Sequence, residues 1–334
     1  MKMNKRLLVS LLASITLAPI GITLVEHHDS TAAVAIAADT LSVEDIHGVV
    51  EVPVNPQVVV ALDNRTFETL ADWGVTLAAA PKDVMPANNP YVADESVVNL
   101  GNHREPNLEL LAAAEPDLVI VGQRFASYYD EIKALVPNAA VLDFSWDVSD
   151  DDGSTGQNLL NGFKSSTLSL GAIFGHEAEA AALVADLDAA LLAATEAYNG
   201  QDTILSVVVS GGEIGFSAPN SGRVWGPLYE IFGWEASLDL DNASSSHTGD
   251  DISVEAIAQS DPDWLMVLDR DAGVSSSEGA TPATDVIENA TALQNTNAIQ
   301  SGNILYAPAD TYTNESIQTY IELFELLAAA FAGQ

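Results

Sequence analysis

The chain has 334 residues, 48 of them acidic and 11 basic, for a formal net charge of −37. Its 48% hydrophobic content belongs to a globular chain rather than a disordered one, and the length suffices for two ordinary domains. Charge of this sign argues against nucleic acid and anionic membrane as partners and reads as adaptation to a saline medium, where screening over about 3 to 8 Å removes most self-repulsion.

Residues 1–37 have the pattern of a secretory signal. Lys2, Lys5 and Arg6 precede an apolar run from Leu7 to Val25, and Ala35-Ile36-Ala37 is a candidate cleavage site. The sequence contains no cysteine, which leaves no disulfide, no thiolate metal site and no lipid-attachment residue. The expectation is a periplasmic protein free of a lipid tether. Residues 38–57 read as a short hairpin about Gly48. A buried strand, Val58-Val-Val-Ala-Leu, then ends at Asp63-Asn64-Arg65-Thr66, where Thr66 is placed to cap a helix that Gly74 stops. Residues 88–99 read as a loop and Leu100-Gly-Asn102 as a return to the site face. Asn107 to Arg124 then forms a unit: a short helix, a Pro-Asp turn, the strand Leu118-Val-Ile-Val, and an arginine where the strand runs out. Helix from Ser127 to Leu135 and strand from Ala139 to Phe144 follow.

The acidic, glycine-bearing stretch Ser149 to Gly156 is the best boundary. It is no calcium loop, since aligning Gly153 with the loop glycine puts Val148 and Leu159 where carboxylates belong. Apolar residues at helical spacing from Leu159 to Tyr198, interrupted by Gly175, predict two helices in tandem. A strand Thr203 to Ser210 and a glycine turn with Gly222-Arg223 precede a second copy of the unit, from Ser253 through Asp261-Pro-Asp263 to Arg270. A loop at 275–284, a helix, a strand at Asn303 to Ala307 and a helix from Ser316 to Phe331 complete the chain. The expected architecture is α/β, with an N-terminal lobe over 38–155, a connecting helix over 156–175 and a C-terminal lobe over 176–334.

The basic residues beyond position 37 are Arg65, Lys82, Arg104, Arg124, Lys133, Lys164, Arg223 and Arg270. Arg124, Arg223 and Arg270 stand at strand ends or in a glycine turn, on the edge where open α/β sheets bind ligands. Guanidinium supplies planar, multidentate donors for carboxylate, phosphate or catecholate oxygens. The bland alternative is pairing with local acids such as Asp269 or Asp271. His247 and Tyr312, each in a polar loop, would stand alone as solvated residues, and together are a sensible pair for a hard ferric ion. Tyr128 follows Arg124 by a helical turn and is placed to line the same cleft, whereas Trp225 and Trp234 read as packing. Gly215-Phe-Ser-Ala-Pro lacks the second glycine of a nucleophile elbow, and Ser210-Gly-Gly-Glu-Ile-Gly215 is no dinucleotide loop.

In the order and spacing of Val58-Val-Val-Ala-Leu-Asp-Asn-Arg-Thr-Phe-Glu-Thr-Leu-Ala-Asp-Trp-Gly-Val75, Glu115-Pro-Asp-Leu-Val-Ile-Val-Gly-Gln-Arg124, Gly222-Arg223 and Asp261-Pro-Asp-Trp-Leu-Met-Val-Leu-Asp-Arg270, the chain resembles the substrate-binding proteins of ABC importers for ferric siderophores, nearest the catecholate or petrobactin-type group. The resemblance implies two α/β lobes bridged by one long helix, with restricted hinge motion. It implies no enzyme activity and no intrinsic cofactor, the Fe3+ chelate being cargo held by a monomer. It carries an arginine trio onto Arg124, Arg223 and Arg270, and direct iron ligation onto His247 and Tyr312. Docking to the inner-membrane permease falls on one acid per lobe, Glu68 and Glu230. Rival expectations are haem, a corrinoid or a hydroxamate as ligand, or a metal-dependent enzyme using His247 with Asp250 and Asp251.

Overall fold

The computed structural model describes residues 40–148, 154–240, 244–274 and 279–333. The expected signal sequence lies outside them, as do positions 149–153 of the linker. The described residues open on the expected hairpin, β1 (Thr40–Asp45) against β2 (Gly48–Pro53), turned at Gly48 with φ +117°.

The first lobe holds a sheet of β3 (Val59–Ala61), β4 (Ala79–Ala80), β5 (Val98–Asn99), β6 (Leu118–Val121) and β7 (Ala140–Asp143), all parallel in the order β5-β4-β3-β6-β7. Every residue of β3 and β6 is buried, as the unbroken apolar runs require of strands covered on both faces. The second lobe holds β8 (Thr203–Ser210), β9 (Glu213–Phe216), β10 (Glu235–Ala236), β11 (Asp250–Asp251), β12 (Trp264–Asp269) and β13 (Ile304–Tyr306). Their order is β11-β9-β8-β12-β13, with β10 beside the start of β8 and only β9 and β11 antiparallel to their neighbours.

The repeated unit has one physical logic in both lobes. Asn107 and Ser253 cap their helices, accepting from the amides of Leu110 and Ala256. Each helix is followed by a residue of positive φ ahead of the proline, Glu115 at 48° and Asp261 at 43°. The aspartate after the proline then ties down the start of the adjacent parallel strand. Asp117 Oδ2 accepts from the amides of Gln57 and Val58, both at 2.9 Å, and Asp263 Oδ2 accepts from the Thr203 amide at 2.9 Å. Strand register and helix placement are thereby fixed together, and an arginine follows each strand.

The first of the tandem helices, Thr155–Phe174, is the bridge. Leu159 and Phe163 enter the core of the second lobe, while Leu170 and Ile173 enter that of the first. Midway, Gly162 lies flush against the Trp146 indole, where a Cβ would come within 2.2 Å. Gly175 stops the helix with φ +72°, and the second helix, Glu177–Ala197, packs beside the C-terminal helix Ile317–Ala332. Trp225 and Trp234 are core residues, as expected.

Three local expectations needed adjustment. Thr66 stands at the N-cap position of Phe67–Asp72, yet its hydroxyl donates to the Asp63 carbonyl at 2.8 Å instead of capping an amide. The Ser127 to Leu135 helix is a 3-10 turn, Ala126–Tyr128, leading into Tyr129–Leu135. The supposed loop at 88–99 contains a short helix, Pro90–Ala93, with proline in its first turn and Asn89 accepting from the Tyr91 amide.

Candidate ligand-binding cleft

The loops that follow β4, β5 and β6 in one lobe, and β9, β12 and β13 in the other, line one cavity of about 640 Å³. Between β3 and β6, and between β8 and β12, the chain leads off in opposite directions, the kind of sheet edge at which a crevice for a ligand opens. Arg124, Arg223, Arg270, His247 and Tyr312 all line it.

Tyr312 is the hub. Its ring is 5% exposed, and the guanidinium carbons of Arg223, Arg270 and Arg124 stand 4.5, 5.2 and 5.9 Å from the ring centroid. Nη2 of Arg124 and Nη2 of Arg223 each donate to the Tyr312 carbonyl at 3.2 Å. Like charges gathered this closely repel, and burial together with Arg223 pulls the Arg124 pKa below the usual guanidinium value. Compensation is partial. Glu315, 5% exposed, accepts a charged bond from Arg223 Nη2 at 2.8 Å, and Arg270 Nη1 meets Asp271 at 3.4 Å and Ser210 Oγ at 3.3 Å. The Nε groups of all three arginines are enclosed without a partner among the described residues. Local pairing therefore accounts for only part of the donor capacity. Asp269, a suspected partner, instead accepts from the Ala272 and Ala283 amides.

His247 is exposed on the cavity wall, and burial and the surrounding arginines, Arg270 foremost after burial, hold its pKa below the ordinary histidine value. The Tyr312 hydroxyl makes no hydrogen bond to the described residues. Among those residues no group of three or more His, Cys, Asp or Glu side chains could hold a metal ion, and His247, Asp250 and Asp251 do not form one.

Tyr128 stands outside the lining residues. Its hydroxyl donates to the Arg104 carbonyl at 3.2 Å and so braces the cavity wall. Glu68 and Glu230 are half-buried and internally bonded. Glu68 accepts from Asn314 Nδ2 at 2.9 Å and from the Ser316 hydroxyl, across the two lobes, while Glu230 accepts from the Gly156 amide at 2.6 Å at the start of the bridging helix.

Asn102, read from the sequence as part of a return to the site face, lines the cavity, while sequence reasoning passed over its neighbours His103 and Arg104, and Gln123, as lining residues. The reading of residues 100–102 as a return to the site face was the signal that pointed to this loop. It also passed over a charge cluster behind the cavity. Arg65 is 6% exposed and stacks 4.0 Å from the Trp146 ring centroid. Asp63, 2% exposed, has its pKa raised to about 7, chiefly by burial, against the opposing pull of Arg65. A Cβ on Gly122 would stand 2.2 Å from the Asp63 carboxyl, so glycine there makes room for the acid.

Comparison with known proteins places this geometry. The family model described as periplasmic binding protein matches residues 59–311, and the chain belongs to that family. The petrobactin-binding protein YclQ of Bacillus subtilis is 27% identical over 267 residues, covering 78% of each chain. The ferric-anguibactin-binding protein FatB of Vibrio anguillarum is 29% identical over 265 residues, 77% of this chain and 76% of that one. Among solved structures, a TroA-like periplasmic binding protein from Xylanimonas cellulosilytica is 28% identical with TM-score 0.70, over 86% of this chain and 92% of its own. The catecholate-siderophore binding protein VctP of Vibrio cholerae shares the fold at TM-score 0.72 and 24% identity, over 89% and 100%.

Proposed function

We propose that this chain captures an anionic ferric siderophore, of catecholate or petrobactin type, in the cleft between its lobes and delivers it to an ABC importer. The observation that carries the reading is the convergence of Arg124, Arg223 and Arg270, from both lobes, on one face of a cavity in a chain otherwise dominated by acids. Three crowded guanidinium groups with unspent donors are costly unless a polyanion completes them. Relatives named for petrobactin and ferric-anguibactin support the ligand class. Four arginines in the lining, Arg104, Arg124, Arg223 and Arg270, favour a polyanionic chelate over haem or a corrinoid.

In this reading the arginines bind catecholate oxygens, while the His247 imidazole and the Tyr312 phenolate complete the iron shell when the siderophore leaves positions open. The iron arrives and leaves with the chelate, so no resident cofactor is needed. Glu68 and Glu230, one on each lobe, serve as acidic docking points for the inner-membrane permease, and the chain works as a monomer exported to the periplasm by the segment 1–37. The bridging helix, anchored in both cores, restricts the lobes to small hinge motions. Titration of the purified protein with a panel of ferric chelates, read by fluorescence quenching, tests the function. Saturable, stoichiometric binding of a ferric catecholate is expected, and indifference to every anionic iron chelate would refute it.

A further inference from the structure

His103 lies on the rim of the first lobe, in the loop between β5 and the helix Leu108–Ala113, and lines the cavity together with His247 of the second lobe. The loop is built to hold it. Asn99 Oδ1 accepts from the Gly101 amide at 2.8 Å, Asn102 Oδ1 accepts from the Arg104 amide at 2.8 Å, and Tyr128 secures the Arg104 carbonyl. An asparagine turn on the imidazole's own doorstep fixes where its ring emerges.

The chemistry of the ring follows from its two nitrogens. Nδ1 is enclosed and has no partner among the described residues. An imidazolium there would bury an unsatisfied N–H, so the ring is neutral. Burial and then the guanidinium groups of Arg124, Arg104 and Arg223, with His247, push its pKa down in the same direction. Of the two neutral tautomers, an enclosed lone pair costs less than an enclosed N–H, which assigns the proton to Nε2. Nε2 in turn has no acceptor among the described residues, and it belongs to a side chain on the cavity wall. Its chemical complement is an anionic oxygen brought in from outside.

We propose that His103 is a ligand-contacting residue that donates from Nε2 to an oxygen of the bound ferric chelate, acting as a hydrogen-bond donor and not as an iron ligand. This rests on the reading of the cleft as a ferric siderophore site. It divides the two histidines by role. His247 offers a lone pair to iron, whereas His103 offers a proton to the chelate and adds a contact from the first lobe without adding positive charge to the crowded arginines.

The test titrates His103→Ala and His103→Gln against wild type with one tetradentate and one hexadentate ferric catecholate, recording the ligand-to-metal charge-transfer band, with Arg124→Ala as reference and thermal melts to confirm folding. The alanine variant is expected to lose about tenfold in affinity, the scale of one hydrogen bond to a charged group, equally for both chelates and with an unmoved band. Glutamine, whose amide nitrogen reaches a similar point, is expected to recover most of the loss. Loss confined to the tetradentate chelate with a shifted band would make His103 an iron ligand and overturn the proposal. Unchanged affinity in His103→Ala, while Arg124→Ala is weakened, would overturn it and leave the cleft assignment standing. A wild-type chain that takes up neither chelate overturns both.

Discussion

Arg124 and Tyr312 join the two lobes, the Nη2 of the first donating to the main-chain carbonyl of the second at 3.2 Å. A neutral carbonyl is a poor partner for a guanidinium compared with an anionic oxygen. The contact therefore leaves the arginine in a position from which an anionic oxygen entering the cleft would draw it. Arg223 makes the same bond to the same carbonyl from the other side.

Replacing Arg124, Arg223 or Arg270 by alanine is expected to weaken ferric catecholate binding by about 1.5 to 3 kcal/mol each, with lysine recovering only part because it lacks the planar fork. Fluorescence titration reads this, and wild-type affinity in all three alanine variants would remove the assignment. Stability separates them. Arg223→Ala leaves Glu315 buried without its charged partner and is expected to lower the urea midpoint clearly more than Arg270→Ala, whose contact to Asp271 is long at 3.4 Å.

His247 and Tyr312 are expected to matter only for chelates that leave iron positions open. His247→Ala and Tyr312→Phe should weaken a tetradentate ferric catecholate far more than a hexadentate one, and Tyr312→Phe should abolish a phenolate-to-iron absorption band. Iron needs the neutral imidazole. Since burial and the arginines lower the His247 pKa, the extra loss of tetradentate-chelate affinity that wild type shows over His247→Ala should set in only below pH about 6.5, on top of the steady decline from the proton the phenol releases on binding. A His247-dependent decline starting above that value would contradict the arrangement.

Asp63 makes stability depend on pH in an unusual sense. Its carboxyl keeps its proton up to about 7 in the folded chain, against 3.8 when unfolded, so the folded state binds more protons between those values. The contribution is fully present below 3.8 and is lost as pH rises toward 7. Denaturation across this window should show Asp63→Asn with a flatter pH dependence than wild type. Identical slopes would place the Asp63 pKa near its ordinary value.

Gly162→Ala is expected to destabilise the protein by about 1 to 3 kcal/mol through overpacking against Trp146, despite a helix-propensity gain of about 1 kcal/mol. An unchanged or raised urea midpoint would show that Trp146 can yield.

Much of the fold was legible because its signals are local. The Pro-Asp turns at 116–117 and 262–263, the apolar runs behind Arg124 and Arg270 and the stop at Gly175 each declare themselves within a few residues. The five cleft residues Arg124, Arg223, Arg270, His247 and Tyr312 were readable for a related reason, being polar groups at strand ends or in loops on one edge. What stayed hidden depends on long-range approach. Glu315 meets Arg223, Asn314 meets Glu68 and Trp146 covers Arg65 across long stretches of sequence, and no spacing announces any of these pairs. Thr66 misled because a hydroxyl at a cap position had a nearer acceptor in the Asp63 carbonyl.

The arginines recessed around Tyr312 sit inside a chain of net charge −37, and that contrast governs how quickly a ligand arrives. A polyanion approaching through dilute solution meets repulsion first and feels the guanidinium groups only once inside the cleft. Salt shortens the reach of the repulsion, from about 8 Å at physiological strength to about 3 Å at 1 M, and screens the enclosed short-range contacts much less. The association rate should thus climb with ionic strength, the reverse of electrostatic steering, and make the protein a faster scavenger in brine than in fresh water.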